Sequence, residues 1–464
     1  MSDSTRRILI TCLVIAVVVC LCAAVVAVIG AAVFMINRSS VGTIPPTVIA
    51  VQVPTNPLQT EQVSSEAISP QVAAQMDEIQ NQVIQIRDLQ PSSSVARQLL
   101  TPDQLRQHVL DNFLKDYTPE DAQNDVKSLA AFGFLKPDFD LLNFYINLYS
   151  EQVAGYYDNE AKEMFVVAGQ GFEGPERMTY AHEYTHALQD QNYDIKNGLD
   201  YSEEACKTDS ERCAAVQSLL EGDASTVEVD WLTTDATTQD KQQIAEFYNT
   251  FQSPVYDSAP EFMRQDFVFP YQNGQAFVQY LYDKGGWNAV DQAYKTLPAS
   301  TEQILHPEKY PQDVPMIVSL PDLGATLGVD YRDVDSGTLG EWYTTLMLAY
   351  GLDAKGRLDL TTAQTAAAGW GGDAYAVYYD DQTQSSVLVL SMVWDTQKDA
   401  DEFSSAFQQY ASGRFNTSAS QANGAWVWDN GQVYNSLEQN GSQTVWILAP
   451  DAATAGAVWA VVKP

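Results

Sequence analysis

Histidine is nearly missing from this chain: four in 464 residues, at His108, His182, His186 and His306. Chemistry built on imidazole therefore has few places to sit. Basic residues are also short, 25 Lys and Arg against 60 Asp and Glu, for a formal charge of -35. Such a surface repels nucleic acid and anionic lipid headgroups over a Debye length, which excludes both as partners. Cysteine is scarce too. Cys12, Cys20 and Cys22 lie in an apolar N-terminal run, where they read as small hydrophobes, which leaves Cys206 and Cys213 around "KTDSER". A helix through that run would hold their Cα atoms about 10 Å apart, beyond the roughly 7 Å a disulfide spans. A bond there requires a break in the helix, and outside the cytoplasm a local disulfide is the expected outcome.

Charge and proline are both absent from Ile8 to Ile36, "ILITCLVIAVVVCLCAAVVAVIGAAVFMI". That run exceeds the roughly 20 residues a helix needs to cross hydrocarbon. Arg6 and Arg7 precede it and only Arg38 follows before Arg87. The positive-inside bias keeps the N-terminus cytoplasmic and places the rest of the chain outside, so the reading is a single-pass membrane protein with an uncleaved anchor. A cleaved signal peptide is the competing reading. Four regions follow: tip and anchor (1–36), a Pro/Ser/Thr-rich spacer (37–70), a mainly helical domain (71–330) and a smaller α+β region (331–464).

Helix starts are legible in the third region. Thr101-Pro102 with Gln104, and Thr118-Pro119, are capped openings. Residues 155–169, "GYYDNEAKEMFVVAG", read as a β-hairpin. Helices are expected from Gly174 to about Gln191, and over 212–232, 236–252, 274–296 and 338–350. The last opens on a capping box, Thr338 with Glu341. Further on, "AYAVYYD" and "SSVLVLSMVW" read as strands and Asp395 as the cap of a helix through Tyr410. Asn440-Gly441 reads as a hairpin turn. The overall expectation is an α+β fold: a mainly helical domain with a small hairpin or sheet, then a smaller α+β region.

Two of the four histidines stand in "MTYAHEYTHALQDQ" (178–191), four residues apart with Glu183 beside the first. On a helix His182 and His186 lie about 40° apart on one face, one turn above the other, so both rings can reach one cation. Glu183 falls round the shoulder, suited to a water held by that cation rather than to the cation itself. The bland alternative is two satisfied histidines on a core helix. A catalytic zinc needs a third protein ligand and one open position. A third histidine in the extended H-E-x-x-H pattern would stand at position 192, which is Asn192, and Gly at 189, which is Gln189. Downstream, Glu221 in "AAVQSLLEGDASTVEVDW" has small neighbours, Ala214, Ser218, Gly222, Ala224 and Ser225, that allow close approach to a metal. Asp223 and Glu228 are the other candidates, and a solvated acid on an amphipathic helix is the alternative for Glu221.

"AHEYTHALQDQ" resembles the active-site helix of thermolysin-like metallopeptidases, and Glu221 with its small neighbours resembles the glutamate-bearing helix of the wider gluzincin group. The likeness covers about residues 155–230. It implies a zincin-like domain, zinc held by His182, His186 and Glu221, Glu183 as general base, and "EMFVV" as an edge strand for an extended peptide. The resemblance departs at Ser225, where those enzymes carry an Asp that orients a histidine; Asp190 and Asp223 are the candidates for that role. For the oxyanion donor, "STEQILHPEKYP" offers His306 and Tyr310, with Tyr156 and Tyr157 as further candidates and a loop histidine as the alternative. The expected activity is zinc-dependent hydrolysis of peptide or protein substrates outside the cytoplasm. The alternatives are a surface binding or adhesion protein with a structural zinc, or an inactive peptidase fold.

Overall fold

The computed structural model describes residues 68–462 apart from 113, 115–116, 153–154 and 168–170. The expected anchor and positions 37–67 of the spacer lie outside the described residues. Among those described, no helix is long and apolar enough to cross a membrane. The fold is α+β, with a small three-stranded sheet among helices and a seven-stranded sheet toward the C-terminus.

The small sheet has β1 (Ala96–Leu100), β2 (Gly155–Asp158) and β3 (Glu163–Val167) in the order β1-β3-β2. The hairpin expected over 155–169 is there as β2 and β3, antiparallel, with Tyr157 opposite Met164. "EMFVV", expected at an edge, is the central strand. β1, not expected from sequence, pairs with it in parallel from Ala96 beside Glu163 to Leu100 beside Val167. Its five residues are too few and too polar in pattern to stand out, and a parallel partner 60-odd residues upstream leaves no turn signal.

Behind this sheet lies the histidine helix, Gly174–Tyr193, and against it the glutamate helix, Ser210–Thr234. A first helix, Pro70–Arg87, ends in a buried Arg87 that donates to Asp223 at 2.6 Å and Asp291 at 2.8 Å and stacks over Trp287. This network joins the helix Pro70–Arg87 to the glutamate helix. The turn expected between the cysteines is present: a helix ends at Thr208, Asp209 interrupts it, and the glutamate helix begins at Ser210. The break brings Cys206 and Cys213 to a Cα separation of 5.4 Å, and they are disulfide-bonded.

The helix expected over 274–296 is instead Glu261–Gly285 followed by Trp287–Ala293. It runs through Pro270 despite the missing N–H, because Phe262, Phe267, Phe269 and Phe277 bury its face in the main core. Gly286 then divides it. Another correction concerns the helix Gly340–Tyr350. Thr338 and Glu341 do not form its cap; Asp373, from the neighbouring sheet, accepts from the backbone N–H of Leu339 (2.7 Å) and Gly340 (2.9 Å). Likewise Thr396, not Asp395, caps the helix Gln397–Arg414.

The second sheet runs β4 (Tyr331–Gly337), β5 (Trp370–Asp380), β6 (Ser385–Trp394), β10 (Gln443–Ala449), β9 (Tyr434–Asn440), β8 (Ala425–Asp429), β7 (Ser420–Ala422), antiparallel throughout. Side chains alternate between its faces. Leu388, Leu390, Trp446 and Leu448 join the main core with Phe403 and Phe407, whereas Val387, Val389, Val445 and Ile447 pack with Val458 of the helix Ala452–Val462. The main core continues across residue 330, from Leu219 and Phe277 of the helical part to Leu346 and Trp446.

Where the parts meet, Glu211 of the glutamate helix accepts from the Thr301 backbone N–H (2.6 Å) and hydroxyl (2.7 Å), and Gly340 packs against its carboxylate. Burial pushes the Glu211 carboxyl up to about 8, although the Thr301 hydrogen bonds pull the other way. The folded chain therefore keeps this proton over a range in which the unfolded chain has lost it, so the contribution to stability falls as pH rises from the ordinary carboxylate range through about 8. Urea unfolding should give a lower free energy at about pH 8 than at about pH 5, with Glu211→Gln flattening part of that decline. Parallel pH curves for the variant and the parent chain would remove Glu211 as a source.

Candidate metal centre

The histidine helix presents His182, Glu183 and His186 to the glutamate helix, all but His186 almost fully buried. His182 Nε2 lies 3.1 Å from His186 Nε2 and 3.1 Å from Glu221 Oε2, and His186 Nε2 lies 3.3 Å from the same oxygen. Three donor atoms thus form a nearly equilateral triangle. Ligands about 2.0–2.1 Å from a tetrahedral ion stand about 3.3 Å apart, so this triangle is the size of one face of a zinc coordination shell.

The far sides of the rings offer acceptors for their Nδ1–H groups. His182 Nδ1 donates to Glu228 Oε2 at 3.1 Å. Gln189 Nε2 donates to the Leu220 carbonyl, which turns its oxygen toward His186 Nδ1, the donor at 2.8 Å. With the rings in those tautomers, both Nε2 atoms turn lone pairs toward each other and toward a carboxylate. Three lone pairs at this separation in a buried site repel unless a cation lies among them, so the donor set fits a divalent metal. Burial would raise the Glu221 carboxyl, but whenever His186 and His182 are protonated instead, their charge and hydrogen bonds outweigh burial and hold the carboxyl at about 2.

Glu183 completes the site. Its Oε2 accepts from the Tyr157 backbone N–H at 2.9 Å, and its buried Oε1 has no hydrogen-bond partner among the described residues. Burial raises this carboxyl above the usual range despite the neighbouring imidazoles of His186 and His182. A carboxylate with one anchored and one uncommitted oxygen, beside the triangle, is placed to take and return a proton.

The small residues on the glutamate helix serve a different neighbour from the one expected. A Cβ on Gly222 would lie 2.1 Å from the Gly274 carbonyl carbon, and one on Gly274 would lie 2.1 Å from the Ser218 carbonyl oxygen. Backbone meets backbone there, and the crossing with helix Glu261–Gly285 sets where Glu221 can point. From that helix Tyr271 packs its ring beside His182, with centroids 6.2 Å apart.

Of the residues singled out from sequence, His182, His186 and Glu221 come together, with Glu183 beside them. Asp190 and Asp223 do not orient a histidine. Asp190 accepts from the Tyr157 hydroxyl and Lys162, and Asp223 from Arg87 and the Tyr294 hydroxyl. Glu228 has the orienting role, seven residues past Glu221 and so on the same helix face two turns on, while Ser225 leaves the shorter spacing without a carboxylate. That spacing was legible; Glu228 was weighed as a ligand, and Gln189 was noted only as a departure from another pattern. His306 donates through Nε2 to Glu341 at 2.8 Å, and the Tyr310 hydroxyl donates to the Thr296 carbonyl at 2.5 Å; neither partner belongs to the triangle. The Tyr156 hydroxyl contacts His108. A second acidic group, Glu302, Asp313 and Asp395, closes around the Lys309 ammonium.

Residues 327–459 match the model of a family described as a domain of unknown function (DUF8575), which spans the seven-stranded sheet and its helices and stops short of the histidine and glutamate helices. No curated protein and no solved structure matches the chain.

Two substitutions test the support around the triangle. Glu228→Ala should weaken zinc binding about 10- to 100-fold in competition with a chelator, with Glu228→Gln, which keeps an acceptor for Nδ1–H, losing less. Equal affinities in all three chains would show that Glu228 does not orient His182. Gly222→Ala should cost about 1–3 kcal/mol in urea unfolding by prying the helices apart, and a chain of parental stability would contradict the crossing described.

Proposed function

We propose that the chain is a membrane-tethered, zinc-dependent metallopeptidase of the gluzincin group that hydrolyses peptide bonds outside the cytoplasm. The observation that carries this reading is the triangle of His182, His186 and Glu221, with both ring protons held on the far side, next to a buried carboxylate with one oxygen uncommitted. The histidine helix, the neighbouring glutamate helix and the small sheet beside them support a zincin-like domain. The Cys206–Cys213 disulfide supports an oxidising compartment, in line with the uncharged run from Ile8 to Ile36.

Zinc bound to His182, His186 and Glu221 would supply Lewis acidity, which polarises a peptide carbonyl and acidifies a water to a pKa of about 7. Glu183 accepts the proton released as water oxygen bonds to the carbonyl carbon. It passes that proton to the amide nitrogen as the C–N bond breaks, and the second water proton leaves the new carboxyl group for the amine, yielding a carboxylate and an ammonium. Glu228 and Gln189 hold the two rings so that their lone pairs keep to one point, and Tyr157 keeps Glu183 from swinging away. A structural zinc would use four protein donors; this cluster groups three, as an open catalytic position requires.

Glu183→Gln should keep stoichiometric zinc, measured by elemental analysis, while cleavage of a peptide library falls about 100- to 10,000-fold. Cleavage at the parental rate would remove Glu183 as the base, and a purified chain without zinc would remove the centre itself.

A further inference from the structure

Glu183 and Asp190 are both on the histidine helix, seven residues apart. That spacing puts them about 20° apart around the axis and about 10 Å apart along it, on one face. One residue of the neighbouring strand touches both. Tyr157 donates its backbone N–H to Glu183 Oε2 at 2.9 Å and its phenol hydroxyl to Asp190 Oδ2 at 2.7 Å. Each bond is buried: Tyr157 is 6% exposed, Glu183 2% and Asp190 4%.

We propose that Tyr157 is the positioning residue for the general base, its phenol anchored on Asp190 so that its backbone N–H stays aimed at Glu183. This rests on the peptidase reading above and assigns Asp190 a role that the reading leaves unfilled. Three features make the anchor specific. Asp190 is fixed in turn by the Lys162 ammonium at 2.5 Å on the same oxygen and by the Ile195 backbone N–H at 3.2 Å on the other. Lys162 itself sits in the hairpin turn between β2 and β3 with φ of 57°. The hairpin is therefore tied to the helix at its turn and at Tyr157 by a single carboxylate. Finally, among the described residues β2 is an edge strand with β3 as its only ladder partner, so side-chain bonds help to place its outer side.

A buried carboxylate needs such a device. Glu183 has a side chain with three rotatable bonds and one anchored oxygen, and without the N–H its carboxylate can turn toward the cationic centre and become a ligand instead of a base. Holding one oxygen on the strand leaves the other free and fixes its direction. The phenol of Tyr157 does not touch the reacting atoms in this scheme; it acts through the backbone of its own residue.

The test uses the full chain loaded with zinc and a fluorescence-quenched peptide that the parent cleaves. Tyr157→Phe keeps the backbone N–H and removes the anchor. Its kcat should fall about 10-fold with KM within about 2-fold, zinc content unchanged, and amide exchange at position 157 faster by about 10-fold while core amides such as Leu219 keep their protection. Asp190→Asn, which still accepts from the phenol, should stay within about 3-fold of the parent, whereas Asp190→Ala should reproduce the Tyr157→Phe loss. In a Glu183→Gln background, Tyr157→Phe should cause no further loss of residual cleavage. A kcat unchanged in Tyr157→Phe, or the same fractional loss with Gln at position 183, would overturn the positioning role. Parental turnover by Glu183→Gln alone would instead overturn the peptidase reading, so the two failures are told apart.

Discussion

Three lone pairs pointed at one spot in a buried site are an electrostatic debt that only a cation settles. His182, His186 and Glu221 reach that arrangement because each is constrained from behind, the rings by Glu228 and Gln189 and the carboxylate by the helix that carries it. Remove the constraints and the rings can rotate, exchange tautomers and hydrogen-bond to one another, and the triangle dissolves. Much of the surrounding architecture is understandable as the means of keeping these groups in place.

The means are mostly backbone contacts and buried charge. Gly222 and Gly274 let two long helices meet with no side chains between them, which fixes the glutamate helix in rotation and translation. Arg87 neutralises Asp223, two residues beyond Glu221, and ties the same helix to the helix Pro70–Arg87 and to Trp287. At the helix's other end Glu211 meets Thr301 and Gly340, so the sheet-bearing C-terminal part bears directly on the element that carries the third donor. Breaking a buried pair such as Arg87 and Asp223 leaves an uncompensated charge, typically a loss of about 3–5 kcal/mol, so these contacts are held together or lost together.

Comparison of sequence with structure divides by range. The capped helix openings at Thr101 and Thr118, the hairpin around "DNEAKE" and the strands "AYAVYYD" and "SSVLVLSMVW" were legible because their signals are local: a cap three residues from its partner, or alternation within one strand. The failures were equally consistent. The resemblance implied "EMFVV" as an edge and nothing near it announces β1, while the cap of Gly340–Tyr350 comes from Asp373, 33 residues on, and not from Thr338. The helix expected over 274–296 in fact starts at Glu261 and runs through Pro270, because the residues that hold it there are distant in sequence. In the site, Asp190 and Asp223 were plausible as carboxylates near the motif, but burial had already committed them to Tyr157, Lys162 and Arg87.

By itself the sequence determined a candidate donor set, since a helix's period places His182 and His186 on one face and the scarcity of other histidines turns attention to a carboxylate to complete it. It also determined the uncharged N-terminal run and the acidic surface charge, which are matters of composition. Only the tertiary structure decided which acid joins the two imidazoles, which acid lies behind His182, and which strand lies against Glu183. Those choices depend on how helices and strands cross, and crossings are set by contacts between residues far apart along the chain, where no local period carries information.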